Sequence, residues 1–321
     1  MQSINMKSIK PKLQVLALAA ALIPAAALFA QSKPAAAPAA PAAAGAETAD
    51  QIMVKVDRAT RRAYDTQVAT VKITTCKYTL KDGAVRCSEK PRIVQAENVK
   101  KNNYDNNQYH VKSLLLVREP ASDRGTGLLV YEYPERGRDN DNWLYLPALG
   151  KVNRVIANND EGGSVFGSEF SVETSENPEA RKLEDWTYKI LESSTYQNRP
   201  VWVIELTPTA EKARKTSYKK VVAWIDKEYY LAVKEDLYRG NKIHKTRTQS
   251  DIKKIDGVTV VTKTVVNNRT TSRVSQMDMP AIAHNRAVPE DFVTQRALTD
   301  FPYRERNLAV FRSYLGQAAV N

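Results

Sequence analysis

Residues 143–170 read WLYLPALGKVNRVIANNDEGGSVFGSEF, and the fold turns on how this stretch is read. Residues 143–147 are an aromatic and apolar strand, Ala148, Leu149 and Gly150 make a tight turn, and residues 151–156 return as a second strand, so the stretch opens as a β-hairpin. A loop follows in which Gly162, Gly163 and Gly167 surround Val165, Phe166 and Phe170. Large apolar side chains in a glycine-rich loop either cap something apolar or recognise something.

The hairpin is one of a long succession of strands. Further strands are expected at residues 68–80, 84–96, 109–118, 127–133, 186–193, 200–207, 220–226, 230–238, 242–251, 258–266 and 270–277, with the returning strand of the hairpin extending to Ala157. Turn signals such as Gln197-Asn198-Arg199, Arg239-Gly240-Asn241 and Asp256-Gly257 separate them, and no helix fits between most of them. Only 12 of the 321 residues are Gly, while Val, Tyr, Thr and Ile are frequent, which favours strands. An up-and-down order of this length predicts a mainly β protein built on one large antiparallel sheet that curls towards a barrel. Residues 114–117 and 128–131 are apolar on both strand faces. Such strands must be covered on both sides, unlike those of a simple solvated meander.

Two helical patterns flank the strands. In residues 49–64, Ile52, Val56, Ala59 and Ala63 recur at spacings of three and four, and Thr48 or Asp50 is placed to cap the start. This is an amphipathic helix that lies on something apolar. Residues 289–298 begin with Pro289 and two acids, the composition of a short helix start. Residues 299–321 carry aromatic spots at Phe301, Tyr303, Phe311 and Tyr314, and both a helix and a frayed end fit them.

The N-terminus has the layout of a secretory signal. Lys7, Lys10 and Lys12 precede an uncharged run over residues 15–30 that contains Pro24 and ends in small residues. The run is shorter than the ~20 residues of a spanning helix, so cleavage near Ala30 is the expectation, with a retained membrane anchor as the alternative. Residues 31–48 form an Ala/Pro-rich tether. The divisions expected are thus residues 1–30 (signal), 31–48 (tether), 49–298 (folded domain) and 299–321 (tail).

The chain carries a formal charge of +12, and residues 1–30 hold three Lys and no acid, which leaves +9 for the remainder. A basic surface suits anionic partners such as lipid head groups. Nucleic acid is not expected, because the basic residues are scattered among acids and the one dense run, residues 212–220, reads as a solvated face. Cys76 and Cys87 flank the turn signal Leu80-Lys81-Asp82-Gly83. A turn centred between Lys81 and Asp82 sets them opposite each other, and after export they form a cross-strand disulfide, with two separate buried thiols as the alternative.

Catalysis is not indicated. His110, His244 and His284 lie in separate segments without metal-ligand spacing, and residues 162–168 hold neither a nucleophile elbow nor a phosphate loop. No metal and no cofactor is expected. Carboxylate pairs such as Glu169 and Glu173 occur in any strand-rich domain.

The order of motifs resembles a known family. Residues 125–131 (GTGLLVY), WLYLPALGKVNRV, VFGSEFSVE, residues 202–208 (WVIELTP), residues 223–226 (AWID), residues 251–258 (DIKKIDGV) and residues 292–298 (FVTQRAL) are similar, in that order, to the outer-membrane lipoprotein-sorting, LolA-like family of bacterial envelope proteins. The resemblance covers roughly residues 50–298. It implies a half-open antiparallel β-barrel with an apolar concave side and helices as a lid. It also implies a periplasmic, non-enzymatic carrier of lipid or lipoprotein acyl chains, a monomer in transient contact with membrane surfaces, and for many relatives an inner-membrane transporter of the resistance-nodulation-division (RND) type. Members more usually carry Arg or Lys where this chain has Asn153. An apolar cavity is what such a cargo requires, since each methylene exposed to water costs about 0.8 kcal/mol. Trp143, Tyr145, Leu146, Phe166 and Phe170 are then candidate lining or lid residues, with ordinary core packing as the alternative. Arg154 is a candidate contact for a phosphate or carbonyl, with a surface ion pair as the alternative. A second functional expectation is an accessory or sensor module that docks on a membrane partner, for which the aromatic tail supplies a surface.

Overall fold

In a computed structural model of the chain, the described residues are 47–103, 109–156 and 163–317. The expected signal and most of the tether lie outside them, as do Ala157 and Gly162. Helix α1 (Ala49–Arg61) starts at a capping box in which the Thr48 hydroxyl accepts from the Gln51 backbone and the Gln51 side chain accepts from the Thr48 backbone. Fourteen strands follow among the described residues: β1 (Thr66–Lys81), β2 (Ala84–Cys87), β3 (Arg92–Asn102), β4 (Val111–Glu119), β5 (Gly127–Glu132), β6 (Asp141–Leu146), β7 (Lys151–Val155), β8 (Trp186–Tyr196), β9 (Arg199–Pro208), β10 (Lys220–Asp226), β11 (Ala232–Arg239), β12 (Lys242–Ile255), β13 (Val258–Asn268) and β14 (Arg273–His284). Two helices, α2 (Gln295–Thr299) and α3 (Phe301–Leu315), follow them.

The strands form one antiparallel sheet in the order β7-β6-β5-β4-β3-β1-β14-β13-β12-β11-β10-β9-β8, with β2 folded back on β1. Each half is a meander, and the halves meet where β1 pairs with β14, from Gln67 opposite His284 to Lys77 opposite Arg273. The two edges, β7 and β8, do not pair with each other, so the barrel stays open. The mainly β, half-open architecture expected from the sequence is therefore the one observed. One expected strand, residues 84–96, is two. β2 ends at Cys87 and β3 begins at Arg92, because Pro91 has no N–H to give a ladder.

The turn after β1 corrects the expected register. Asp82 and Gly83 both have positive φ (53° and 74°), the signature of a two-residue type I′ turn. The turn centre therefore falls between Asp82 and Gly83, one residue later than expected, and Cys87 lies opposite Tyr78 rather than Cys76. Cys76 and Cys87 still share a face, two residues apart along the diagonal, and form the disulfide with Cα atoms 5.7 Å apart.

Different helices cover the two faces of the sheet. On the outer face of β3–β6, Leu114, Leu116 and Leu129 pack against Phe292, Val293, Leu298, Leu308 and Phe311. Gly127 allows this contact, because the Leu298 side chain occupies the space that a Cβ on residue 127 would need. On the opposite, inner face of β9–β11, Ile52, Met53 and Val56 of α1 pack on Ile204, Leu206, Val221 and Ile225. Residues 301–315, where a helix and a frayed end both fit the sequence, are helix α3. It is capped by the Asp300 carboxylate, which accepts from Tyr303 N at 3.1 Å, and anchored by Arg312, whose guanidinium donates two hydrogen bonds to Glu97 of β3 at 2.5 and 2.9 Å. Phe311 is 2% exposed and meets the Phe292 ring edge-on at 4.8 Å. Phe311→Ala should therefore destabilise the whole domain by about 3–5 kcal/mol, read as a lowered urea midpoint with unchanged slope. An unchanged midpoint would mean that α3 contributes nothing to the core.

Candidate functional site

The chain between β7 and β8 crosses the inside of the open sheet. Ser164 bridges to Ser171, Val165 N donates to Phe170 O at 2.8 Å, and short 3₁₀ turns at Thr174–Glu176, Pro178–Ala180 and Leu183–Asp185 carry the chain to β8. Phe166 (φ 51°) and Gly167 (φ 74°) both take the left-handed backbone conformation at the tip of this strap.

Charge, more than apolar packing, holds the strap. Glu169 accepts from Arg273 (3.0 Å) and Asn268 (2.7 Å), and its carbonyl accepts from Lys245 (3.0 Å). Glu176 accepts from Lys245 (2.7 Å) and from the Tyr218 hydroxyl (2.6 Å). Glu179 pairs with Lys100 at 2.6 Å, and Arg181 pairs with the buried Glu235 of β11. Buried charges require such partners, since one left alone costs several kcal/mol. Burial alone would push the Lys100 ammonium pKa down, but Glu179 and Tyr64 overcome this and hold it well above its ordinary value.

Between strap and sheet lies a cavity of about 270 Å³. Its apolar walls come from both halves of the sheet, with Val71, Leu115, Leu128 and Val130 from one and Val266 and Met277 from the other, and Phe170 enters from the strap. Strands so far apart in the sheet order face one space only because the sheet curls around it. Ala59 and Thr60, in the last turn of α1, contribute to the rim.

The lining becomes charged towards Lys100, Glu132 and Arg247. Burial raises the Glu132 carboxyl pKa, and its Oε2 has no hydrogen-bond partner among the described residues. His110, half-buried, is pushed down to about 4 by burial and by Arg61 and Lys182, so it is neutral at pH 7.

The structure separates the candidate residues. Phe170, 8% exposed, lines the cavity, and Phe166 packs half-buried with it against Val71 and Ile73, its carbonyl accepting from Arg92. Trp143 and Tyr145 lie on the other face of the sheet. Trp143 meets the Tyr131 ring edge-on at 4.8 Å, and Tyr145 meets Phe301 of α3 at 6.0 Å. Arg154, opposite Trp143 in the β6–β7 register, is largely exposed and pairs with Asp141. Leu146 is half-buried at the end of β6, outside the cavity lining. From this sheet edge the cavity is lined by Asn142 on β6, by Val130 opposite it on β5, and by Leu128 and Glu132 of β5. The alternation from Asn142 to Leu146 separates the two faces, but only the position of α3 tells which face is outside.

The open sheet with an inner cavity and helical cover is the LolA-like fold. A crystal structure of a DUF1329 family protein from Desulfovibrio piger matches with a TM-score of 0.67 at 21% identity, over 78% of this chain and 97% of that one. A putative outer membrane lipoprotein-sorting protein domain from Vibrio parahaemolyticus matches at 0.65 and 20% identity, over 77% and 97%. A LolA superfamily protein from Nitrosomonas europaea matches at 0.54 and 20% identity, over 78% and 98%. These identities establish a common fold. A family model described as an uncharacterized protein matches residues 110–300, and the chain belongs to that family. No curated protein matches.

Glu132 generates a test of the charged end of the cavity. A carboxyl whose folded pKa is raised holds more protons folded than unfolded, so stability falls as pH rises from its ordinary value of 4.5 through the raised one. Glu132→Gln should remove part of that fall. Urea midpoints measured from acid to neutral pH should show a flatter slope for the variant, and parallel slopes would mean that folding leaves the Glu132 carboxyl in its ordinary range.

Proposed function

We propose that this protein is a periplasmic, non-catalytic carrier that takes an acyl chain of a lipid or lipoprotein into the cavity between sheet and strap. The observation that carries this reading is the cavity itself, whose apolar walls come from both halves of an unclosed sheet and whose remaining side is a strap outside the strand ladder. The enclosed space, about 270 Å³, lies just below the roughly 300–1,000 Å³ of small-molecule sites. A long acyl chain therefore loads fully only if the strap withdraws and Phe170 leaves its place. Each methylene buried returns about 0.8 kcal/mol, so a chain of about ten returns about 8 kcal/mol, enough to offset about two buried strap pairs at about 3–5 kcal/mol each.

The signal-like pattern of residues 1–30 and the positive charge outside it support a carrier beyond the inner membrane, in transient contact with anionic membrane surfaces, which we read as a monomer. An inner-membrane transporter of the RND type is the partner suggested by the resemblance. The alternative of an accessory or sensor module drew on the aromatic tail as a docking surface. Of the tail's four aromatics, Tyr303 and Phe311 are buried against the sheet, Tyr314 is partly buried and Phe301 is 42% exposed, which leaves the carrier as the better supported reading.

Two measurements test it. Protein purified from the periplasm, examined by native mass spectrometry and lipid extraction, should carry an acyl-chain lipid. A fluorescent fatty acid should bind the delipidated protein, and Val130→Trp, which fills the cavity, should weaken that binding by about tenfold with little change in circular dichroism. A chain that holds no lipid and binds no fatty acid is not a carrier.

A further inference from the structure

A second cavity, of about 480 Å³, lies beside the β7 edge of the sheet. It is bounded by β6–β7, by residues 137–140, by the strap and by residues 211–215 after β9. Six basic side chains line it, Arg138, Arg154, Lys182, Lys212, Arg214 and Lys215, against four acidic ones. Building on the carrier reading, we propose that this second cavity receives the anionic headgroup of an amphiphile, phosphate or carboxylate, held at Lys182 and Lys212 while its chain reaches the apolar cavity behind.

Three observations carry the assignment. The first is the state of the two lysines. Lys182 is 7% exposed, and its ammonium donates to the carbonyls of Glu135 (2.6 Å) and Arg138 (2.7 Å). Two carbonyls occupy two of the three N–H groups of an ammonium and neutralise none of its charge. Among the described residues no carboxylate stands within ion-pair distance of it, and burial lowers its pKa. Lys212, 9% exposed, donates to the Thr174 hydroxyl at 2.7 Å, with the Glu173 carboxylate only at 3.7 Å. Buried cations held mainly by neutral oxygens gain when an anion arrives, because a buried charge with no opposite charge beside it costs several kcal/mol.

The second observation is the position of this cavity. The two cavities share Asn140, Asn142, Val172 and Ala180 as a common wall. Val130 and Leu128 lie directly beyond that wall on the apolar side. A charged group and an apolar chain joined covalently match this succession of a basic chamber and an apolar one. The third is Asn142, 2% exposed, whose Oδ1 has no hydrogen-bond partner among the described residues and which lines both chambers. A buried acceptor at the passage suits a hydroxyl or amide N–H at the junction of headgroup and chain.

The test uses the delipidated mature protein with a dansyl-labelled undecanoic acid and the alcohol of the same chain length, followed by fluorescence, with inorganic phosphate as competitor. The acid should bind about tenfold more tightly than the alcohol. Phosphate should weaken the acid and leave the alcohol unaffected. Lys182→Met should bring the acid to the affinity of the alcohol without moving the alcohol. The exposed variant Lys215→Gln, which removes another cation of the same lining, should act in the same direction by a smaller factor and serves if Lys182→Met does not fold. Equal affinities for acid and alcohol overturn the headgroup site while leaving the carrier standing. Binding of phosphate with neither amphiphile identifies a free-anion site and overturns both readings, and no binding of any probe overturns both as well.

Discussion

Charge placed inside a curled sheet has to be answered, and the strap between β7 and β8 is the answer in this fold. Lys100, Lys245 and Arg273 belong to three different strands, and each meets a glutamate of one short segment. Arg181 of the same segment meets Glu235 in return. The strap cannot lie elsewhere while these partners remain buried, since removing one side of a buried pair typically costs about 3–5 kcal/mol. With the strap fixed, the space beneath Phe170 and the gap beside β7 follow as its two margins.

This arrangement also explains how one segment can be both well placed and removable. It adds no strand to the ladder, so its withdrawal breaks side-chain contacts and leaves the sheet hydrogen bonds intact. An apolar plug of the same size would have favoured a permanently filled interior.

Much of the fold was legible in the sequence because period and turn chemistry are local. The strand succession, the capping of α1 and the Cys76–Cys87 bond all follow from residues within about a dozen positions of one another. The exact pairing at the bond was not, because Lys81-Asp82-Gly83 admits two turn centres and only the positive φ at Asp82 selects one. The inward or outward sense of Trp143 and Tyr145 was not legible either, since β5 carries apolar side chains on both faces, Leu129 under the helices and Leu128 and Val130 at the cavity, and alternation alone names no inside. The acids of the strap were hidden for a different reason. Glu in a loop is ordinarily solvated, and their partners lie about seventy to a hundred residues away, at Lys245 for Glu176 and at Arg273 for Glu169. Helix α3 escaped a firm reading because exposed Phe301 and Val310 blur its apolar stripe.

The pairing of β1 with β14 sets a schedule for the chain. The strand made first after α1 waits for the strand made last, so the seam joining the two halves cannot be laid until His284 is available. The outer cover over β3–β6 arrives later still, with α2 and α3. A chain that emerges from its N-terminus thus holds no completed domain until its final helices are available.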